Sequence, residues 1–173
     1  MDEYQDIMGY LSIFLGTVMS KILVIGYGNS MRGDDGMGPL AAQRIESIVQ
    51  DKEVKIIVRH QTGIELAEDL KDADFVIFID AHVGDEPGTL KEMEVVPDNA
   101  VRGIFSHHLS PSVLLGCVEE LYNTHPETVI YSIAADSFDY GEGLSPSVEA
   151  TLPVLIDKVL ARITSFKGSR GRE

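Results

Sequence analysis

Sulfur contributes almost nothing to this chain. Its 173 residues include a single cysteine, Cys117. No disulfide can form within the chain, so a reducing compartment, the cytoplasm, is its natural setting. A cysteine-rich structural zinc site is excluded by the same count. Cations are also scarce: 14 Lys and Arg stand against 28 Asp and Glu, a net charge of −14. Nucleic acid is bound by clustered Lys and Arg, so this balance argues against it as a partner. The acidity suits a cation or a basic polypeptide segment, or simply solubility. Long apolar runs are missing too. The nearest, residues 7–19, falls short of the roughly 20 residues that a membrane helix needs. It also follows Asp2, Glu3 and Asp6, whereas a secretory signal opens on basic residues. Residues 1–19 read instead as an extension that packs on the domain or on another copy, with a membrane-associated segment as the alternative.

Common hydrolase motifs are absent as well. There is no Gly-x-Ser-x-Gly elbow. Neither His-Glu-x-x-His nor the Asp-Thr/Ser-Gly context of an aspartic protease dyad occurs. Gly26 and Gly28 resemble the start of a dinucleotide fingerprint, but Met31 stands where the third glycine belongs, and Asp34-Asp35 would repel a pyrophosphate.

What is present is the material of one domain. Hydrophobic residues make up 44% of the chain, and its length suffices for a full core. Strands are expected at residues 22–27, 54–59, 75–80, 89–96 and 129–135, and helices at 39–50, 65–71, from Ser110-Pro111 to Tyr122 and from Ser145-Pro146 to Ile163. The segment 89–96 follows its predecessor closely, which suggests an antiparallel edge. Pro153 should kink or split the last helix. Strands alternating with helices imply an α/β three-layer sandwich with a mostly parallel sheet of about five strands. The domain spans 20–166, and 167–173 reads as a polar tail.

The most informative stretch is Gly26-Tyr27-Gly28-Asn29-Ser30-Met31-Arg32-Gly33-Asp34-Asp35-Gly36-Met37-Gly38-Pro39. A buried strand runs into a glycine-rich loop with two adjacent carboxylates, and a helix follows. Open α/β sheets bind their ligands at this end of the strands. Asp34 and Asp35 could each cap a helix, yet two carboxylates framed by glycines exceed what a cap requires. Asp80, directly after Val-Ile-Phe-Ile, is either paired, hydrated or metal-bound, or a loop aspartate bonded to nearby backbone N–H groups. His107-His108 precede a helix start, where an imidazole can be a ligand or an ordinary surface group. Oxygen and imidazole donors together suit Ni, Zn or Co. Cys117 falls beside an apolar helical stripe and reads as a packed thiol.

Gly-Asn-Ser-Met-x-Gly-Asp-Asp-Gly-x-Gly-Pro, Phe-Val-Ile-Phe-Ile-Asp-Ala, Ser-His-His-Leu-Ser-Pro and Gly-Glu-Gly-Leu-Ser-Pro-Ser-Val-Glu occur in that order. Together they resemble the maturation endopeptidases of nickel-iron hydrogenases, over about residues 21–163. The resemblance implies an enzyme that removes the C-terminal extension of a hydrogenase large-subunit precursor after nickel insertion. It further implies that the nickel is supplied by the substrate, with other divalent metals able to substitute. The family's nickel ligands fall on Asp35, Asp80 and His107, with His108 in reserve, and Asp34 as an orienting residue or a cap. One departure lies at 60–66, His-Gln-Thr-Gly-Ile-Glu-Leu, where many relatives carry Leu-x-Pro between the Gln and the Glu. The resemblance to proteases of cofactor-reducing, cytoplasmic hydrogenases rests on the two Leu-Ser-Pro segments. A reading from another class is a non-catalytic nickel-binding module that acts as an assembly checkpoint.

Overall fold

The two most apolar segments become neighbouring central strands, β1 (Ile22–Tyr27) and β3 (Phe75–Val83). A computed structural model describes residues 22–84, 86–98 and 108–170. Residues 1–19, read as an extension, and His107 lie outside the described residues. Among those described, β2 (Val54–Arg59), β4 (Leu90–Glu94) and β5 (Glu127–Ala135) complete a sheet of order β2-β1-β3-β5-β4. The first four pair in parallel, and β4 runs antiparallel to β5 at the edge. The expected antiparallel edge is therefore there, although its partner is β5 and not the strand preceding it.

Both faces of β3 are covered, as its unbroken apolar run requires. Phe75, Ile77 and Ile79 pack with Met37, Ala41 and Ile45 of α1 (Met37–Ile48) and with Leu152, Leu155 and Val159 of α4 (Pro146–Arg170). Val76 and Phe78 face the opposite layer, with Leu70 of α2 (Ala67–Leu70) and Leu114, Leu115 and Val118 of α3 (Pro111–Tyr122). Each such side chain contributes about 1.5–3 kcal/mol on burial. The result is the three-layer α/β/α sandwich expected from the alternation of strands and helices.

Pro153 neither splits α4 nor ends it: the helix is assigned continuously from Pro146 to Arg170. One missing backbone donor costs about 3 kcal/mol. Leu152, Leu155, Ile156, Val159 and Ile163, all buried along one stripe, outweigh that loss. Beyond them, Phe166 stacks on Phe75 with centroids 4.7 Å apart, and Lys167 pairs with Asp51 and Glu53. Those contacts carry the helix into the segment read as a polar tail.

The start of α1 sits directly on the ends of the central strands because Gly38 has no side chain. A Cβ there would lie 2.3 Å from the Tyr27 carbonyl oxygen and 2.6 Å from that of Ile79. Both obstacles are backbone, so they cannot yield cheaply. Gly38→Ala should lower stability by about 2 kcal/mol or more, measured as a fall in the urea midpoint at unchanged slope.

Candidate active site

The sheet order places β1 between β2 and β3, so the strand after β1 lies on one side of the pair and the strands after β3 on the other. A crevice opens at such a switch point, beyond the carboxyl ends of the strands. Asp35 and Asp80 both open into it. They line one cavity of about 400 Å³, together with Tyr27, Arg32, His60 and His108.

Asp35 is aimed by the loop that carries it. A 3₁₀ turn, Gly33–Gly36, precedes α1, and the Asn29 N–H donates to Asp35 Oδ2 at 2.9 Å. Gly28 holds φ at +140°, and a Cβ there would fall 1.9 Å from the Asp35 carbonyl oxygen. Only glycine lets these two stretches of backbone lie so close.

Asp80 continues the Val76, Phe78 face of β3 past the apolar layer. Its Oδ1 accepts from the Ala81 N–H at 2.8 Å, and the Tyr27 hydroxyl bonds to the same carboxylate. Burial pushes its pKa up to about 6; the Tyr27 and Ala81 hydrogen bonds oppose the rise, and the Asp35 charge adds to it. Tyr27 is in turn held well above the usual phenol range by burial and by the Asp80 charge. Its ring meets Phe78 edge-on, with centroids 6.2 Å apart.

Asp34, adjacent to Asp35 in sequence, points the opposite way. It is 1% exposed. Its Oδ2 accepts from the Asp136 N–H at 2.8 Å, the Ser137 N–H at 3.2 Å and Ser145 Oγ at 2.9 Å, while Oδ1 accepts from the Ser145 N–H at 2.7 Å. It therefore caps no helix of its own. It clasps residues 136–145, the loop that leads into α4. Burial works against its charge, but the donated bonds prevail and hold its carboxyl below the usual range.

Of the three residues expected to share a metal, Asp35 and Asp80 reach the same cavity, and His107 lies outside the described residues. His108, the reserve, is exposed and lines the cavity. Its segment is anchored where the Leu109 N–H donates to the Thr62 carbonyl at 3.1 Å and the Thr62 hydroxyl donates to the Leu109 carbonyl. Among the described residues no group of three His, Cys, Asp or Glu closes around one ion. Two carboxylates with an imidazole nearby nonetheless form a donor set suited to a borderline divalent cation. Cys117 is buried and its thiol is pushed up by burial, as a packed thiol should be. No helix among the described residues is long and apolar enough to cross a membrane.

A family model described as "Hydrogenase maturation protease" matches residues 39–162. The chain belongs to that family. A putative hydrogenase maturation protease of Methanocaldococcus jannaschii is 31% identical over 150 residues, covering 82% of this chain and 96% of the relative. The hydrogenase 2 maturation protease of Escherichia coli is 28% identical over 152 residues, 83% of this chain and 90% of that one. The solved hydrogenase maturating endopeptidase HybD of E. coli superposes with a TM-score of 0.66 at 28% identity, covering 84% of this chain and 93% of its own. The HycI structure from Thermococcus kodakarensis, at 21% identity, 0.65, and 81% and 90% coverage, shares the fold.

In this hydrogenase maturation protease family member, sequence reasoning missed Tyr27 and Ser145. Tyr27 was legible only as the end of a strand, and its bond to Asp80 depends on β1 and β3 being neighbours. Ser145 was legible as a helix start, but the carboxylate that holds it lies 111 positions away.

Buried Asp34 and half-buried Asp80 should respond oppositely to pH. Asp34 has a depressed pKa, so its contribution is present above about pH 4 and lost as pH falls further. Asp34→Asn, which turns a donor toward donors, should cost about 2–4 kcal/mol at pH 7 and less in acid. Asp80 has a raised pKa, so its charge costs stability above about pH 6 and nothing below about pH 4. Asp80→Asn should therefore stabilise the protein by about 1–3 kcal/mol at pH 7.5, a gain that vanishes near pH 4. Denaturant titrations of both variants across that range provide the measurement.

Proposed function

We propose that this protein is the cytoplasmic endopeptidase that removes the C-terminal extension of a nickel-iron hydrogenase large-subunit precursor after nickel insertion. The observation carrying this reading is the meeting of Asp35, from the loop after β1, and Asp80, from the adjacent parallel strand β3, in one cavity. Two carboxylates against one cation, Arg32, in a chain of net charge −14, suit a cation presented by the substrate better than an anionic ligand.

Asp35, Asp80 and His107 would hold the nickel that the precursor carries, with His108 as the alternative imidazole. Bound there, the metal serves as a recognition handle and supplies a Lewis acid for the scissile carbonyl or for water. The chain's own residues position the reaction. The Asn29 N–H fixes the Asp35 carboxylate, Gly28 admits the Asp35 backbone beside it, and the Tyr27 hydroxyl and Ala81 N–H fix the carboxylate of Asp80. Hydrolysis adds water across the peptide bond, so the carbonyl carbon gains oxygen and the leaving nitrogen gains a proton.

The mouth of the cavity supports a macromolecular substrate. Val83 lines the cavity and is 85% exposed; Tyr140, under Arg32, is 88% exposed, and Met31, which precedes Arg32, is exposed too. Arg32 bonds to the Phe138 carbonyl at 3.2 Å and lies over the Tyr140 ring. Exposed apolar side chains at a lining residue and next to another suit a protein-binding surface.

Nickel-loaded precursor incubated with the protein under reducing, anaerobic conditions should lose a C-terminal peptide by intact-mass spectrometry, and nickel-free precursor should not. Asp35→Asn and Asp80→Asn should each slow the cut by about 100-fold or more. His107→Ala should do likewise, and His108→Ala should cost far less. A stable complex with no shortening would instead establish the non-catalytic checkpoint.

A further inference from the structure

The carboxylates of the cavity are aimed by hydrogen bonds to their own side chains, whereas its imidazole side is set by the backbone. His60 and Gln61, from the loop after β2, and His108, from the segment before α3, line the same cavity. Thr62 and Leu109, 47 positions apart, join these two stretches. The Leu109 N–H donates to the Thr62 carbonyl at 3.1 Å, and the Thr62 hydroxyl donates to the Leu109 carbonyl. His107 and His108 directly precede Leu109 in the chain. We propose that Thr62 is a positioning residue for the metal site: through this reciprocal pair it presents the imidazole before Leu109 to the cation held at Asp35 and Asp80. This rests on the metal-holding part of the endopeptidase reading, and it adds the residue that sets the third donor.

Thr62 and Leu109 are both buried, so water does not compete for their bonds. No other donor among the described residues reaches the Leu109 carbonyl. A buried acceptor left without a partner costs about 1–3 kcal/mol. The Leu109 side chain is fixed as well. It immediately precedes Ser110, the N-cap of α3, while Leu114 stands one turn into the helix, and both leucines belong to one buried cluster with Leu66. An apolar pair at these two positions fixes the angle at which a chain enters its helix. Thr62 is braced in turn, because the Leu66 N–H donates to the carbonyl of the next residue, Gly63, at 3.1 Å. Two backbone segments, a hydroxyl and a buried side chain therefore converge on Leu109, and the residue just outside it, His108, is exposed at the cavity. A ring hung from fixed backbone has less conformational freedom to lose on binding than one on a loose chain. Thr62 falls in the stretch 60–66 where the sequence departs from the family pattern, and leucine, which many relatives carry there, has no hydroxyl to donate.

Calorimetry on the full chain with nickel ion alone reads the effect. Thr62→Val, which keeps the shape and removes the donor, should weaken nickel binding by about tenfold, and Thr62→Ser, which keeps the hydroxyl, should bind within about twofold of the unsubstituted protein. With His107 and His108 both replaced by alanine, Thr62→Val should change the affinity by less than about twofold, since no imidazole is left to place. A purely structural contribution would lower the urea midpoint in either background and leave the nickel affinity of the folded protein as it was. Three results would each overturn the proposal: equal nickel affinity with and without Thr62→Val, an undiminished loss in the background lacking both imidazoles, or no nickel uptake by the unsubstituted protein. Should the calorimetry come out as expected while nickel-loaded precursor stays uncut, the endopeptidase reading falls and the role of Thr62 stands.

Discussion

Asp34 accepts hydrogen bonds from Asp136, Ser137 and Ser145, and through them the loop after β1 is fastened to the loop before α4. Backbone bonds reinforce the junction: the Gly33 N–H donates to the Gly141 carbonyl, and the Gly141 N–H to that of Met31. Both walls of the crevice depend on this clasp. Asp35 is the next residue along, so a carboxylate held inward forces its neighbour outward. The adjacent pair is thus divided by geometry, one held in a structural clasp and one facing the cavity. Alternation along an irregular turn achieves here what strand pleating achieves in a sheet.

Asp80 shows the other side of the same economy. It stands at the end of an apolar strand, under a tyrosine whose ring is packed on Phe78. The desolvation that raises its pKa also removes the water that would compete for a cation. A carboxylate destabilised by desolvation gains most from a positive partner. The fold supplies that tension without a strained backbone: the segment is regular β-strand through Val83.

Much of this was legible beforehand, for identifiable reasons. β1 and β3 are continuous apolar runs, and only a sheet covered on both faces accommodates them. Ser110 was placed at a helix start by the proline after it, and its hydroxyl does accept from the Val113 N–H. That Asp35 and Asp80 share one crevice was legible because a glycine-rich loop and a carboxylate after an apolar run mark the same end of neighbouring strands. What was not legible depends on distance in the chain. Asp34 could be read only as a local cap or an orienting group, since its partners lie more than a hundred residues on. The pairing of β4 with β5 instead of β3 is likewise a property of the assembled sheet. Pro153 was read as kinking or splitting the last helix; the helix is not split, because a long buried stripe holds it together. The segment around His107 lies outside the described residues, so its place rests on sequence alone.

The loop between Asp136 and Ser145 is fixed at both ends on a single side chain, while Phe138 and Leu144 within it border different cavities. Such a loop behaves as an exchangeable cassette. Its interior can be rewritten by substitution while the two ends keep their seats, which allows selectivity to diverge without any change in the scaffold beneath. Length is less free than identity, because a shorter or longer span would have to close on the same two oxygen atoms.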